Sequence, residues 1–332
     1  MSRSRLVVFI SMVVVGLGSL AAVGALYLDP ARAAVGPLPA EGLLFPADVR
    51  FVIGVDVKRL TSSPLYRRFK AQARPDALRD LEEKTGINPE RDVDQVLIAG
   101  RAAGGAERGL AVVIGSFDTY KLGRSIEVSP KAKAVGRNFE GFTEYVFDEV
   151  GAESKAVVFL DRQALVIGSR AAVEAAVSSR ARGATPLLSN PGITGLLERV
   201  KPGSTFWMVG DQSLLENLPS AIPGPGGNGN SITLPALKGL VVTGDLDPAI
   251  SLVVTGDAPD AAAATNLADI VRGFVALASL QASQKPELKD LAQAISVSTE
   301  KSQVHVNARF SYEMLEALQP KRAAITPPPA AR

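Results

Sequence analysis

One short pattern recurs along the 332-residue chain and limits its fold more than any other feature. A β-branched run ends in Gly, a Ser or Asp follows, and a helical pattern begins. It occurs at Val112 to Ser116, Leu165 to Ser169, Trp207 to Asp211 and Val253 to Asp257. β-Branched residues favour strands, and Gly lets the chain leave a strand sharply. Ser or Asp then accepts the free N–H groups of a first helical turn. Two of the following segments hold apolar residues at i, i+3, i+4 spacing: Ala172, Val173, Ala176, Val177, and Leu267, Ile270, Val271, Phe274, Leu277. Hairpins fill the gaps. Residues 96–100 and 109–115 form one, and 240–244 and 250–256 another. Residues 156–160 turn at Asp161–Gln163 into 164–168, and 295–299 turn at Glu300 and Lys301 into 302–310.

The pattern is doubled. Phe51 to Leu60 matches Phe206 to Leu215, each a strand, an Asp and a helix. The expected fold is α+β: an N-terminal transmembrane helix, then a duplicated β-α-β-β-α-β-β-α body. Hairpins imply an antiparallel sheet, with the helices on one face. An extra strand is expected near Glu144–Asp148. One continuous sheet and two packed domains both satisfy the pattern. The predicted boundaries are 1–34 for a cytoplasmic stub plus anchor or signal segment and 35–46 for a stalk. The first α+β repeat covers 47–200 and the second 201–320. The Gly/Pro-rich run 223–230 reads as a flexible loop, and 321–332, with its Pro triplet, as a disordered basic tail.

Leu6 to Leu28 is 23 residues without a charge. At about 1.5 Å per residue a helix of that length crosses a hydrocarbon layer of about 30 Å. Arg3 and Arg5 precede it, which puts the N-terminus in the cytoplasm and the body outside. An uncleaved anchor fits the length. A cleaved signal fits Ala31-Arg32-Ala33 ahead of Ala34. Either way the expected location is a bacterial inner (cytoplasmic) membrane, single-pass, with the body facing the periplasm or the exterior. The bilayer, through residues 6–28, is the first predicted partner.

Composition closes off much chemistry. There is no Cys and one His, so thiolate catalysis, disulfides, Cys-held zinc and iron–sulfur clusters are excluded, as is a two-His metal site in one chain. The 36 Lys+Arg nearly balance 34 Asp+Glu, and the basic surplus sits at the two ends. The body is mildly acidic, which argues against a nucleic-acid partner. Arg over Lys with abundant Ala, Gly and Val is the association of a GC-rich bacterium.

Leu43 to Asp48 leading into Phe51–Asp56, with Gly109–Asp118 and Ala156–Gly168, resembles a family of uncharacterised bacterial membrane-anchored extracytoplasmic proteins, a domain of unknown function. The likeness runs over roughly residues 43–320. It implies architecture and location and carries no site residue.

Candidate chemical groups each have a plain structural reading. His305, with Asn307 and Arg309, is expected on the polar face of a strand whose Val304, Val306, Ala308 and Phe310 face inward. Ser298 and Lys301 match S-x-x-K but straddle a hairpin turn, not a helix start. Asp245, Asp247, Asp257 and Asp260 offer carboxylates to a hard cation, yet turn and cap chemistry explains them. Asp92 and Asp94 read as solvated. Asp56 and Asp211, at equivalent positions, could form an acid/base pair or cap two helices. Trp207 reads as core. Two basic stretches, Arg67, Arg68, Lys70, Arg74 and Lys121, Arg124, Lys131, Lys133, Arg137, read as solvated surface or as headgroup contacts. No Walker A loop, dinucleotide fingerprint, H-E-x-x-H or G-x-S-x-G occurs.

No catalytic, cofactor-binding or metal residue is assigned, and no cofactor is expected. The expectation is a membrane-tethered, non-catalytic extracytoplasmic module, a partner-binding or envelope scaffold protein. The alternative is a carrier for an apolar or lipidic ligand. A hydrolase using only carboxylates, through Asp56, Asp211, Asp245 or Asp247, ranks third.

Overall fold

A computed structural model describes residues 35–72, 82, 87–101, 109–128, 134–147, 154–215, 221–223, 231–233, 235–281, 290 and 292–314. The N-terminal apolar segment, Arg74, Lys131, Lys133, the run 224–230 and the tail lie outside the described residues. Among the described residues no helix is long and apolar enough to cross a membrane.

The strands are β1 (Phe51–Asp56), β2 (Val93–Gly100), β3 (Leu110–Gly115), β4 (Val135–Phe139), β5 (Phe142–Phe147), β6 (Lys155–Phe159) and β7 (Ala164–Ser169). They continue with β8 (Phe206–Asp211), β9 (Ala221–Pro223), β10 (Ser231–Thr233), β11 (Gly239–Asp245), β12 (Ile250–Asp257), β13 (Ile295–Glu300) and β14 (Gln303–Phe310). The helices are α1 (Val57–Ser62), α2 (Pro64–Gln72), α3 (Pro89–Asp92), α4 (Thr119–Val128), α5 (Arg170–Ala181), α6 (Pro191–Leu197), α7 (Gln212–Leu215) and α8 (Ala261–Gln281). Twelve strands form one antiparallel sheet in the order β13-β14-β12-β11-β8-β1-β2-β3-β7-β6-β5-β4. β9 and β10 pair separately, on either side of the Gly/Pro run.

Ten of the twelve strands are arranged symmetrically about the β1–β8 pair, and β5 and β4 extend one side only. From the β1–β8 pair outward, the order is β1-β2-β3-β7-β6 on one side and β8-β11-β12-β14-β13 on the other. Val52 faces Val209, Gly54 faces Trp207, and Ile53 faces Met208. A local twofold axis through the Ile53–Met208 pair exchanges the two strands. The matched Phe51–Asp56 and Phe206–Asp211 segments therefore lie side by side, head to tail.

Strand period two sorts side chains into rows. One row runs Arg137, Glu144, Val158, Val166, Val112, Leu97, Gly54, Trp207, Thr243, Val253, Asn307, Ser296, through all twelve strands. The next row, on the opposite face, includes Tyr145, Val157, Ile167, Ile98, Ile53, Met208, Val242, Val254, Val306 and Val297.

Helices cover both faces, which corrects the one-face expectation. On the face of Val166, α5 buries Val173, Ala176 and Val177 against Val112, Val158 and Val166, and α6 adds Ile193 and Leu197. On the face of Val306, α8 sets Ala264 and Ala268 against Val304, with Val297 and Val306 alongside. Both helices follow strand hairpins. The side each takes is the apolar side of the strands it covers, which hairpin counting does not reveal. Each fully buried Val or Leu contributes about 1.5–3 kcal/mol.

The expected stalk is likewise replaced. Leu38, Leu43, Leu44 and Phe45 are buried in the same core as Val112 and Val166, around a 3-10 turn at Ala40–Leu44. The Pro and Gly spacing that suggested a linker instead bends an apolar segment onto the sheet.

At the sheet centre, a Cβ added to Gly54 would lie 2.2 Å from the Trp207 ring. The ring covers the glycine across the strands, and Trp207 is buried, as its sequence context implied.

Candidate binding cleft

The singled-out carboxylates do not converge. Asp56 accepts from the Arg59 amide at 2.8 Å and caps α1. Asp211 accepts from the Leu214 amide at 3.1 Å and pairs with Arg50. Both therefore act at helix starts, but at opposite ends of the central pair. With Asp56 beside Thr205 and Asp211 beside Arg50, six strand residues separate them, roughly 20 Å. Paired acid/base carboxyls sit about 5–9.5 Å apart. Burial pushes the Asp56 carboxyl above its usual range, against the pull of the Arg59 amide and guanidinium.

Asp245 accepts from the Thr205 amide and from Lys201 at 2.9 Å, holding the loop before β8. Asp257 lies at the other end of β12, bound by Arg199 at 2.6 Å and Gln303 at 2.9 Å. It was expected to cap α8, but Asp260 does so through the Ala263 amide. Asp118 rather than Ser116 caps α4, through the Lys121 amide. Asp92 is engaged by the Asn88 amide and Arg91, and Asp94 pairs with Lys58. Among the described residues no three metal-ligating groups gather. Ser298 lies in β13 and Lys301 in the hairpin turn at φ 52°, so the S-x-x-K spacing is not helical. His305 stands on the Asn307 face, its Nδ1 3.1 Å from the Thr255 hydroxyl.

The structure brings together a different set. A cleft of about 600 Å³ opens where α4 crosses the β4–β5 hairpin. Glu140 and Gly141 form that hairpin's two-residue turn, both at positive φ (49° and 87°). This is the geometry whose twist suits a tight hairpin, and Gly takes it at no steric cost. The helix presses close: a Cβ on Gly123 would lie 2.2 Å from the Tyr145 hydroxyl. Tyr145 packs edge-on against Phe159 at 6.1 Å, and Phe159 against Phe117 at 6.2 Å. Tyr145 and Phe159 thus form an aromatic floor, with Phe142 beside them.

Arg124 and Glu127 from α4, and Asp161 and Arg162 from the β6–β7 turn, supply the charge. Asp161 is occupied, accepting from the Gln163 amide at 2.7 Å and pairing with Arg180. Two guanidinium groups therefore face Glu127, the cleft carboxylate with no ion pair among the described residues. Burial, and then the Glu127 carboxylate, push the Tyr145 phenol above its usual range, so it stays a neutral donor. The cleft offers an apolar floor and cationic rim. It contains no imidazole; His305 lies near the other edge of the sheet.

Behind the cleft, the other face of the hairpin is fastened to the body. Glu144 is fully buried. Arg137 donates to both Glu144 and Glu174, and Arg170 donates to Glu174 at 3.0 Å. Arg137 was grouped in the sequence with the basic surface, but it belongs to this cluster. It ties β4 and β5 to α5. The cleft itself was not anticipated. Its one local signal is the Glu140-Gly141 turn, just after the basic stretch.

No family model matches the sequence, and no curated protein does. Among solved structures the chain is similar to TP0453 in its crystal form IV, with a TM-score of 0.50 and 10% identity, covering 86% of this chain and 96% of that one. Crystal form III of TP0453 gives a TM-score of 0.47 at 12% identity, covering 86% and 98%. At such identity the form IV likeness is one of fold alone: this chain shares the α+β architecture with its large antiparallel sheet.

Proposed function

We propose that the chain is a membrane-tethered, extracytoplasmic, non-catalytic module, and that it binds its partner through the cleft between α4 and the β4–β5 hairpin. One observation carries this reading: the aromatic floor of Tyr145 and Phe159 under the Arg124 and Arg162 rim. Such a surface holds a ligand by burial and charge, and nothing in it is arranged to move a proton. The wide separation of Asp56 from Asp211 removes support for a carboxylate pair. The charge-free stretch of residues 6–28, with Arg3 and Arg5 before it, supports the tether and a body outside a bacterial inner membrane. The symmetric strand order supports a body built by duplication, with residues 47–200 and 201–320 as its two repeats.

A second reading, a carrier for an apolar ligand, is favoured by the row from Val157 to Val297. Its members from Ile98 through Ile53, Met208, Val242 and Val254 are all only half-buried, which leaves apolar sheet open to an apolar guest.

The test is native mass spectrometry of full-length protein taken from its own membranes. A bound protein lost on Arg124→Ser/Arg162→Ser substitution is the expected result. A lipid-sized extra mass that survives this change but is lost in Met208→Arg favours the carrier. Turnover of an envelope substrate by the purified chain would overturn both.

A further inference from the structure

We propose that the exposed side of α4, with the adjoining Arg162 turn, is a docking surface for an anionic lipid bilayer. The inference deepens the tether reading and rests on it for the membrane's proximity. The first observation is where apolar surface is left uncovered. Tyr120 is 78% exposed, Val128 68% and Val135 70%. They account for most of the exposed large hydrophobic side chains among the described residues, and they lie on α4 and the start of the next strand. Tyr120, Arg124 and Val128 fall at i, i+4, i+8, one stripe of the helix, with Lys121 beside it. The opposite side buries Leu122 and Gly123. The exposed stripe is thus amphiphilic, with a Tyr at one end and Val at the other.

The second observation is charge. Among the described residues Lys121, Arg124 and Arg162 enter no ion pair, whereas Arg137 nearby is consumed by Glu144 and Glu174. Uncommitted cations interleaved with Tyr and Val match a headgroup layer, where anionic phosphates meet the edge of the hydrocarbon.

The third is position. The Gln95 side chain donates to the Pro37 carbonyl, so the chain enters the body at the Gln95 end of β2. At that same end the Gly115 amide donates to the Gln163 carbonyl and the Phe117 amide to the Arg162 carbonyl. The entry point, the first turn of α4 and the Arg162 turn therefore share one end of the sheet. Residues 29–34 separate Leu28 from Val35, seven steps that reach at most about 25 Å. A bilayer holding residues 6–28 would then lie on the side of the body that carries Tyr120, Lys121 and Arg162.

The experiment follows amide hydrogen exchange in the full-length chain, reconstituted in phosphatidylcholine vesicles with and without phosphatidylglycerol. Exchange over residues 119–128 is expected to slow several-fold only in the anionic vesicles. Lys121→Glu/Arg124→Glu should abolish the slowing, and Lys155→Glu, at the other end of the strands, should not. Each basic group is expected to strengthen the contact about five-fold, so the double reversal weakens it by at least about 25-fold. Equal exchange in both vesicle types, with the chain resisting carbonate extraction, overturns the docking surface and leaves the tether intact. If carbonate extracts the chain, the tether fails. The docking surface then stands only if the chain still floats with phosphatidylglycerol vesicles and the double reversal prevents it. Slowing that requires an added envelope protein overturns the proposal in favour of a protein partner.

Discussion

The two halves of the sheet share a backbone plan and treat the same face in opposite ways. In the first half the row at Val158, Val166, Val112 and Leu97 is buried under α5 and the segment around Phe45. In the second half the same row continues as Thr243, Val253, Asn307 and Ser296. Val253, Asn307 and Ser296 are exposed. α8 instead covers the other face of the second half through Ala264 and Ala268. Strand pairing is therefore indifferent to which face becomes core. Alternation along each strand makes the choice, and the helix follows the apolar side.

The strongest way to break this comparison is to place one charge at two points of the row. Val166→Asp buries an unpaired carboxylate and should cost more than about 4 kcal/mol. Asn307→Asp should stay within about 0.5 kcal/mol. Urea unfolding of both variants checks this, and a large loss at Asn307 would mean that something covers the second half. The seam comes next. Gly54→Ala forces a methyl into the Trp207 ring and should cost about 2–3 kcal/mol, partly recovered by adding Trp207→Leu. A thermal midpoint unchanged by Gly54→Ala would show that the ring moves freely.

Smaller effects sharpen the likeness between halves. Asp56→Ala and Asp211→Ala each remove a helix cap and should each cost about 1 kcal/mol. Guanidinium melts that differ widely would end their equivalence. The smallest effect belongs to a feature described in the first half alone. Burial works against the Glu90 carboxylate, but Lys70 and the Tyr66 hydroxyl, each at 2.5 Å, outweigh it and hold its pKa below the usual range. Its folded pKa is depressed, so its stabilisation is present above the ordinary carboxylate pKa and is lost as pH falls through the folded value. Lys70→Met with Tyr66→Phe should flatten that part of the stability–pH curve, and an unaltered curve would reject the pairing.

Most of the sheet was legible because strand alternation is local. Val304, Val306 and Ala308 against His305, Asn307 and Arg309 gave both strand and face. The matched Phe51 and Phe206 segments marked the centre. The β4–β5 hairpin was half missed: the strand near Glu144 was anticipated, but Arg137 read as basic surface. Its pairing with Glu144 is visible only once the hairpin is folded. The cleft escaped for the same reason, since Arg124, Tyr145 and Arg162 meet only in space. Composition misled at residues 35–46, where Pro and Gly spacing outweighed Leu38, Leu43, Leu44 and Phe45.

The twofold axis through Ile53 and Met208 makes the seam between the two halves self-complementary. A single repeat would end at an unpaired β1 edge, with amides and carbonyls ready to accept another strand. Because the axis maps this edge onto itself, a second copy of the same repeat could pair there, Ile53 against Ile53. Two like edges paired in this way give the strand order of the present sheet outward from β1 and β8. Such a seam leaves each half free to choose its own core face, one burying the face that the other leaves to water.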